Sequence, residues 1–218
     1  IPAGLRRAAY GRRGGHSPPL NRQRGVMMAQ VHHPPRTAMS LGIAVLTVSD
    51  TRTLEDDKSG NLLAERIAAA GHKLAARAIV KDGKFDIRAQ LCNWLVTEGI
   101  DAVILTGGTG LTGRDLAPEA VEPLLDRVID GFGELFRWLS YEDIGVSTIQ
   151  SRALAGSANG RLVFCLPGSR GACELAWDKI IAPQLDTATR PCNLAELLPR
   201  LREPSDRPAS APHKSRRD

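Results

Sequence analysis

A short apolar run that ends in a cluster of glycines is the feature that most constrains this fold. Residues 102–106 read AVILT, an uninterrupted apolar sequence typical of a strand buried on both faces. Gly107, Gly108 and Gly110 follow, and a helix then opens at residues 118–120. Because this order presents free backbone N–H groups to an anion, the segment predicts an α/β fold with an anion-binding loop.

The residues of this loop restrict the classes of ligand that it could bind only in part. It lacks the Gly-Lys-Ser or Gly-Lys-Thr ending of a P-loop, so it selects no particular nucleotide. Thr106, Thr109 and Thr112 supply hydroxyls, and Asp115 supplies a carboxylate of the kind that holds a divalent metal beside a phosphate. A glycine turn with a purely structural role is the alternative, and the local sequence leaves it open.

Two further predicted strands also end in polar residues. Residues 41–48 and 74–80 are apolar runs, and Ser49 and Asp50 follow the first, whereas Asp82 follows the second. The helices after these strands are predicted at residues 61–70 and 86–98. Open α/β sheets bind ligands at the carboxyl ends of their strands, so these polar residues are candidates for ligand binding. For Asp50, an ordinary turn role is an equal alternative.

A second junction between a strand and a glycine loop lies near the end of the chain. The apolar run 161–166 is followed by Pro167, Gly168 and Ser169, and a helix is predicted over residues 172–181. Two junctions that suit an anion, each at the end of a strand, strengthen the case for a phosphate-rich ligand.

Two segments between these junctions have open roles. A helix predicted from Glu134, after the segment 127–133, carries apolar and aromatic side chains that could line the core or contact another subunit. Residues 147–152, beginning with Ser147, place hydroxyls and a cation on a short predicted helix. For that segment, ligand binding and a capping role on the surface are equal alternatives.

The charge of the chain is divided unevenly. Residues 1–40 contain seven arginines and no acidic residue, a charge of +7, and residues 203–218 carry +1. Because the whole chain carries +5, residues 41–202 carry −3. A nucleic-acid-binding protein concentrates basic charge on its folded face, so this distribution argues against nucleic acid as a partner.

Composition also indicates the domain organisation and compartment. Residues 1–40 are rich in Arg, Gly and Pro, and residues 203–218 in Pro, Ser and Arg, so both segments are predicted to be disordered around a single folded domain at 41–202. No apolar run approaches the ~20 residues that span a bilayer, which predicts no membrane association through a helix. The four cysteines form no Cys-x-x-Cys pair, a pattern that favours the reducing cytoplasm.

Six separated segments resemble the MoaB/Mog family of molybdenum cofactor proteins and look closest to its B branch. They read VLTVSDTR, ILTGGTGLTGRDLAPEA, IDGFGELFRWLS, IGVSTIQSRALAG, LPGS and IIAPQLDTATRPCN, and the resemblance runs from about Leu41 to Leu201. It implies a three-layer α/β/α domain with a mostly parallel sheet, assembly into a trimer or hexamer, and binding of molybdopterin.

The resemblance also implies an activity and a set of site residues. Mog-type members transfer AMP from Mg-ATP to the terminal phosphate of molybdopterin and release pyrophosphate. Asp82 and Asp115 match the family's two essential aspartates and are expected to act in catalysis by holding Mg²⁺ or orienting the substrate. The residues expected to bind substrate or nucleotide are Ser49, Asp50, Thr106, Gly107, Gly108, Thr109, Gly110, Pro118, Glu119, Ser147, Pro167, Gly168 and Ser169.

One departure from the family pattern bears on this activity. Ala117 stands where most adenylylating members have a threonine, so a hydroxyl near the site is missing. The alanine form accompanies the B branch, in which activity is less uniform. The alternative function is therefore a non-catalytic protein of the same pathway that binds molybdopterin or acts as a scaffold.

Overall fold

A six-stranded sheet forms the centre of the computed structural model, which describes residues 39–203. The strands are Gly42–Val48 (β1), Lys73–Val80 (β2), Ala102–Thr106 (β3), Arg127–Val128 (β4), Leu154–Ala158 (β5) and Arg161–Leu166 (β6). They lie in the order β2-β1-β3-β6-β5-β4. β2, β1, β3 and β6 are parallel to one another, whereas β5 is antiparallel to both β6 and β4.

Helices cover both faces of this sheet. They are Lys58–Ala69 (α1), Lys84–Val96 (α2), Ala117–Val121 (α3), Asp130–Ile144 (α4), Arg170–Ala176 (α5), Ala182–Leu185 (α6) and Leu198–Leu201 (α7), with 3₁₀ turns at Glu122–Leu124, Gly145–Gln150 and Ala195–Leu197 and a π turn at Trp177–Ile181. Side chains of α1, α4 and α5 pack on one face, and those of α2 and α3 pack on the other. The predicted three-layer α/β/α architecture with a mostly parallel sheet is confirmed.

The apolar runs of the central strands follow from this layering. In β1, Ile43 and Val45 contact the α1 side, whereas Ala44, Leu46 and Val48 contact the α2 side. Successive side chains of a strand point to opposite faces, so a strand covered on both faces must be apolar at every position. This holds for β1, β3 and β6, whereas the edge strand β2 is only half-buried and includes Arg77. All four parallel strands match their predicted bounds to within one residue.

The helices depart further from their predicted bounds. α1 begins at Lys58 rather than residue 61, because Asp57 caps it by accepting a hydrogen bond from the Gly60 N–H. α2 begins at Lys84 rather than residue 86. α1 ends at Ala69 and α2 at Val96, one and two residues before their predicted ends, and the predicted stop glycines Gly71 and Gly99 follow with positive φ.

The predicted helix start at Glu134 is wrong, since α4 begins at Asp130. The glycines before Glu134 indicated a turn, but Gly133 lies inside the helix, where a Cβ would come within 2.7 Å of the Ala153 carbonyl oxygen. This glycine therefore allows α4 to approach the chain next to β5. β4 and β5 were not predicted, because one is two residues long and the other consists of small residues.

The predicted disordered segments, residues 1–40 and 203–218, lie outside the described residues except for positions 39, 40 and 203. Within residues 39–203, no helix combines the length and the apolar character needed to cross a membrane.

Candidate functional site

The loops that follow β1, β2, β3 and β6 meet at one edge of the sheet. Backbone pairing continues past the strands, from the Ser49 N–H to the Val80 carbonyl at 2.9 Å and from the Gly107 N–H to the Leu166 carbonyl at 3.0 Å. The Asp82 N–H donates to Asp50 Oδ1 at 3.1 Å and joins the first two loops. The predicted site residues therefore converge on one edge, as expected for the carboxyl ends of parallel strands.

Two glycines give the loop after β3 its shape. Gly107 and Gly108 have φ values of +107° and +64°, in the left-handed region that favours glycine. A Cβ on Gly107 would lie 2.3 Å from the Val48 carbonyl oxygen, and one on Gly108 would lie 2.9 Å from Asp82 Oδ1. Backbone conformation and close packing thus both require glycine at these positions.

A cavity of about 860 Å³ opens beside this loop. Most of the residues predicted from the sequence to act in catalysis or binding line this cavity: Ser49, Thr106, Gly107, Gly108, Thr109, Gly110, Asp115, Ser147, Pro167, Gly168 and Ser169. Apolar side chains also line it, among them Phe136, Ile144 and Leu175. The cavity therefore combines loop backbone suited to phosphate with apolar side chains suited to a flat ring system.

The second glycine junction packs against the first, and both line this cavity. Gly168 is so close to Gly107 that a Cβ on it would lie 3.1 Å from the Gly107 Cα. Ser169 caps α5 by accepting a hydrogen bond from the Ala172 N–H at 3.3 Å. The Ser59 hydroxyl of α1 donates to the Gly168 carbonyl at 2.8 Å and holds this loop in place.

Residues 108–113 have the spacing Gly-x-Gly-x-x-Gly that is typical of dinucleotide-binding loops. In that motif the helix begins within the glycine segment, whereas α3 begins only at Ala117. The intervening residues, among them Arg114 and Asp115, form an excursion at the rim of the site. The spacing alone is therefore a poor guide to the ligand.

Asp50 does not line the cavity but belongs to a charged group at its rim. Its carboxylate accepts a 2.5 Å hydrogen bond from the exposed Arg114. This bond from Arg114 lowers the pKa of Asp50, and the Asp82 N–H lowers it further. Asp50 is thus an ionised residue that connects the loops after β1, β2 and β3.

Asp82 and Asp115, the predicted catalytic pair, lie on either side of the glycine loop. Burial raises the pKa of Asp82, with the Leu116 N–H opposing this effect and the Asp115 and Asp50 carboxylates adding to it. The Thr112 hydroxyl, at 2.6 Å, lowers the pKa of Asp115, and the Thr112 and Gly110 N–H groups contribute in the same direction. Two carboxylates in one site therefore have pKa values shifted apart, a pattern typical of functional sites.

These two carboxylates could hold Mg²⁺ together with a substrate phosphate. Among residues 39–203, no group of three or more His, Cys, Asp or Glu side chains is arranged to hold a metal ion. Mg²⁺ bound with a nucleotide needs only one or two protein carboxylates, because phosphate oxygens and waters complete its shell. Asp82 and Asp115 meet that requirement. They are too few to bind a metal ion through protein ligands alone.

Pro118 and Glu119 lie apart from the main cavity, on a smaller cavity of about 400 Å³. Glu119 forms an ion pair with Arg152. The Arg152 guanidinium also donates to the carbonyl oxygens of Gly110 at 2.6 Å and Asp115 at 2.7 Å. Glu119 therefore supports the glycine loop from behind.

Sequence reasoning missed several residues of the site. Arg152 was identified only as a cation on a short helix, since nothing in the sequence indicates that it reaches the glycine loop. The cavity also contains α4 and neighbouring residues that the strand-end argument could not find, namely Phe136, Ser140, Asp143, Ile144, Gln150 and Ser151. The aromatic character of α4 indicated a core or subunit contact only. Gln150 and Ser151 belong to the segment 147–152, for which ligand binding was one of two equal alternatives.

Comparison with known proteins identifies relatives of this chain among molybdenum cofactor biosynthesis proteins. Residues 44–187 match the family described as "Probable molybdopterin binding domain". Molybdenum cofactor biosynthesis protein B of Escherichia coli is 56% identical over 151 residues, which cover 69% of this chain and 89% of that protein. The protein of the same name from Bacillus cereus is 46% identical over 163 residues, covering 74% of this chain and 96% of that protein.

Solved structures show the same fold. A crystal structure of a molybdenum cofactor biosynthesis protein B has a TM-score of 0.70 and 44% identity, and the match covers 76% of this chain and 98% of that one. The tungsten cofactor synthesizing protein MoaB of Pyrococcus furiosus has a TM-score of 0.62 and 34% identity, covering 75% and 98%. The fold, the glycine junctions and these similarities agree, and the chain belongs to the MoaB/Mog family of molybdenum cofactor biosynthesis proteins.

Proposed function

We propose that this protein contributes to molybdenum cofactor biosynthesis by binding molybdopterin in the cavity at the carboxyl edge of the sheet and adenylylating it with Mg-ATP. The observation that carries the proposal is the approach of the two glycine junctions, with Gly168 packed against Gly107 at a cavity that also contains Asp115. Backbone N–H groups at two loop ends suit a phosphate-rich ligand, and apolar side chains such as Phe136 suit a pterin ring.

The chemistry requires one new bond and one broken bond. A terminal phosphate oxygen of molybdopterin attacks the α-phosphorus of ATP, the bond from that phosphorus to the oxygen that bridges it to the β-phosphorus breaks, and pyrophosphate leaves. Such a transfer depends on alignment and charge neutralisation rather than on a protein nucleophile. Asp82 and Asp115 would orient Mg²⁺ on the phosphates, and the N–H groups of the glycine loop would bind the phosphate itself.

The charges around the glycine loop suit a site in which carboxylates hold Mg²⁺ and backbone N–H groups bind phosphate. The Asp50 and Asp115 carboxylates both act to raise the pKa of Asp82, and Arg114 interacts with all three carboxylates. A Mg-nucleotide brings a cation to the carboxylates and an anion to Arg114 and the backbone. The acidic balance of residues 41–202 gives no corresponding support for nucleic acid as a ligand.

A non-catalytic role in binding molybdopterin or as a scaffold is the second candidate, and Ala117 is the observation that favours it. Its side chain is fully buried at the start of α3, beside Gly108, and supplies no hydroxyl to the site. Binding through the glycine loops does not require that hydroxyl. The two candidates therefore share the ligand and differ only in turnover.

We further propose that the protein assembles as a trimer or hexamer in the cytoplasm. Five large apolar or aromatic side chains on α4 and the following 3₁₀ turn are more than half exposed, and we call them the α4 patch: Trp138, Tyr141, Ile144, Val146 and Ile149. A concentrated apolar surface of this kind is typical of a subunit contact. The four cysteines are all free thiols, which is compatible with a reducing compartment.

Mass spectrometry of the reaction product tests the proposed function. The protein is incubated with molybdopterin and Mg-ATP, and the expected product is adenylylated molybdopterin, formed only when Mg²⁺ and ATP are both present. Addition of EDTA is the control and should abolish the product. If molybdopterin binds but is not modified under any of these conditions, the result contradicts the proposed adenylylation and supports the non-catalytic binding role.

A further inference from the structure

The Arg152 side chain contacts the backbone of the glycine loop at several points. Its guanidinium donates to the carbonyl oxygens of Thr109 at 3.3 Å, Gly110 at 2.6 Å and Asp115 at 2.7 Å, and it pairs with Glu119. The side chain is 27% exposed. Only an arginine provides enough donors in one rigid plane to hold several carbonyls and a carboxylate at once.

These carbonyl contacts extend to the two predicted catalytic aspartates. A trans peptide group is planar, and its C=O and N–H point in opposite directions. A donor that fixes the carbonyl of one residue therefore also orients the N–H of the next. The Asp115 carbonyl contacts Arg152, and the N–H of the same peptide group, on Leu116, donates to Asp82 Oδ1 at 3.2 Å.

A second peptide group repeats this arrangement. The Thr109 carbonyl contacts Arg152, and the N–H of that peptide group, on Gly110, faces the Asp115 carboxylate and lowers its pKa. Gly110 is so close to this carboxylate that a Cβ on it would lie 2.5 Å from Asp115 Oδ2. One guanidinium is thus connected to both aspartates, each through a single peptide group.

We infer that Arg152 is a positioning residue that sets the orientation of both the Asp82 and the Asp115 carboxylates through these two peptide groups. The inference rests on the proposed function, since it assigns Arg152 a part in the reaction of those aspartates. Among the described residues, those that line the main cavity do not include Arg152, so it acts from behind the loop rather than by touching the substrate. Hydrogen-bond chains of this type strengthen one another in a low-dielectric environment.

Arg88 of α2 provides a matched comparison, because it also binds backbone carbonyls close to the site. Its guanidinium donates to the carbonyls of Ala120 at 3.1 Å and Glu119 at 2.9 Å, and so it holds α3 by its backbone. The N–H that belongs to the Glu119 peptide group donates to a backbone carbonyl, that of Leu116, and not to an aspartate. A purely structural role for Arg152 predicts that substitutions of the two arginines have similar consequences.

The test compares Arg152→Gln, Arg152→Lys and Arg88→Gln in the full chain, by pyrophosphate release with molybdopterin and Mg-ATP. For Arg152→Gln, we expect kcat to fall by about tenfold to a hundredfold, with the KM for ATP changed much less. Arg152→Lys should recover little, because the three donors of an ammonium group cannot hold three carbonyls and the Glu119 carboxylate at once. Arg88→Gln should keep kcat within about twofold of wild type. Equal kcat losses in Arg152→Gln and Arg88→Gln, or no loss in either, would overturn the inference.

Hydrogen exchange of the loop amides separates this inference from the proposed function. Arg152→Gln should speed the exchange of the Gly110 and Leu116 amides, which face the two carboxylates, whereas Arg88→Gln should leave both rates unchanged. If wild type releases no pyrophosphate, the proposed function fails, and the exchange rates alone decide the role of Arg152. Unchanged exchange at these two amides in Arg152→Gln would then refute it.

Discussion

The Thr47 hydroxyl at the end of β1 donates a 2.6 Å hydrogen bond to the fully buried carboxylate of Asp57. The same carboxylate pairs with Arg77 of β2 at 2.9 Å and caps α1 through the Gly60 N–H. Two strands and a helix are therefore connected by one charge directly beneath the cavity, whose lining includes Thr47. A buried charge with this many partners stabilises the fold only while all of them are present.

Asp57→Ala should lower the free energy of unfolding by about 3 kcal/mol, because it leaves Arg77 without its buried partner and α1 without its cap. Denaturant unfolding followed by circular dichroism measures this change. The neighbouring Asp56→Ala is the matched control, since Asp56 is exposed and should change the value by less than about 1 kcal/mol. Equal effects of the two substitutions would show that the buried network contributes nothing.

The pH dependence of stability should show the same network. Although burial acts to raise it, hydrogen bonds from Thr47, Gly60 and Arg77 leave the pKa of Asp57 lowered from 3.8. A carboxyl with a lowered folded-state pKa stabilises the protein above its unfolded-state pKa, and this contribution is lost as the pH falls through the folded-state value. Unfolding measured between pH 6 and the acid limit should therefore lose stability less steeply in Asp57→Asn than in wild type.

Gly108→Ala should impair the site much more than Gly113→Ala. At Gly108 the backbone has a φ of +64° and a Cβ would contact the Asp82 carboxylate, whereas a Cβ on Gly113 meets nothing within 4 Å. The strained position should cost about 1–2 kcal/mol in backbone conformation alone and displace Asp82 as well. Isothermal titration with molybdopterin should show affinity lowered by about tenfold or more for Gly108→Ala and unchanged for Gly113→Ala. Equal affinities would place the ligand elsewhere.

The α4 patch should hold the proposed trimer or hexamer together. Trp138→Lys places a charge in the centre of that surface and should produce smaller species in light scattering at micromolar concentration, because an unpaired charge in an apolar contact is costly. Phe85→Lys on α2 is the control, since Phe85 is also exposed but lies outside the patch. A wild-type monomer, or an assembly that survives Trp138→Lys unchanged, would contradict this role for the patch.

The sequence predicted the strands of the sheet far better than it predicted the residues that hold the glycine loop in place. β1, β3 and β6 are buried almost throughout, so their apolar runs alone reveal them, whereas the edge strand β2 is only half-buried and includes Arg77. The polar residues after each of these parallel strands had to meet at one edge. β5 is composed of small residues, because Gly156 there lies close to the Arg127 carbonyl, and it leaves no apolar run to recognise. Arg152 could not be assigned, since its contacts depend on how the segment before β5 passes behind the glycine loop.

The roles of Asp82 and Asp115 are the central claim, and both side chains can be changed with little expected effect on the fold. Burial raises the pKa of Asp82, so its ionised form is not favoured by the fold, and Asp115 lies in an exposed loop. Asp82→Asn and Asp115→Asn should therefore assemble as wild type does and retain most of their affinity for molybdopterin, because the glycine-loop N–H groups remain. Asp86→Asn, at an exposed carboxylate in the first turn of α2, is the control.

The most direct measurement is the initial rate of pyrophosphate release from Mg-ATP in the presence of molybdopterin, for wild type and these three variants. Loss of one preorganised electrostatic group should reduce the rate by about a hundredfold in Asp82→Asn and in Asp115→Asn, whereas Asp86→Asn should match wild type. A wild-type protein that binds molybdopterin but releases no pyrophosphate, or aspartate variants as fast as wild type, would contradict the account.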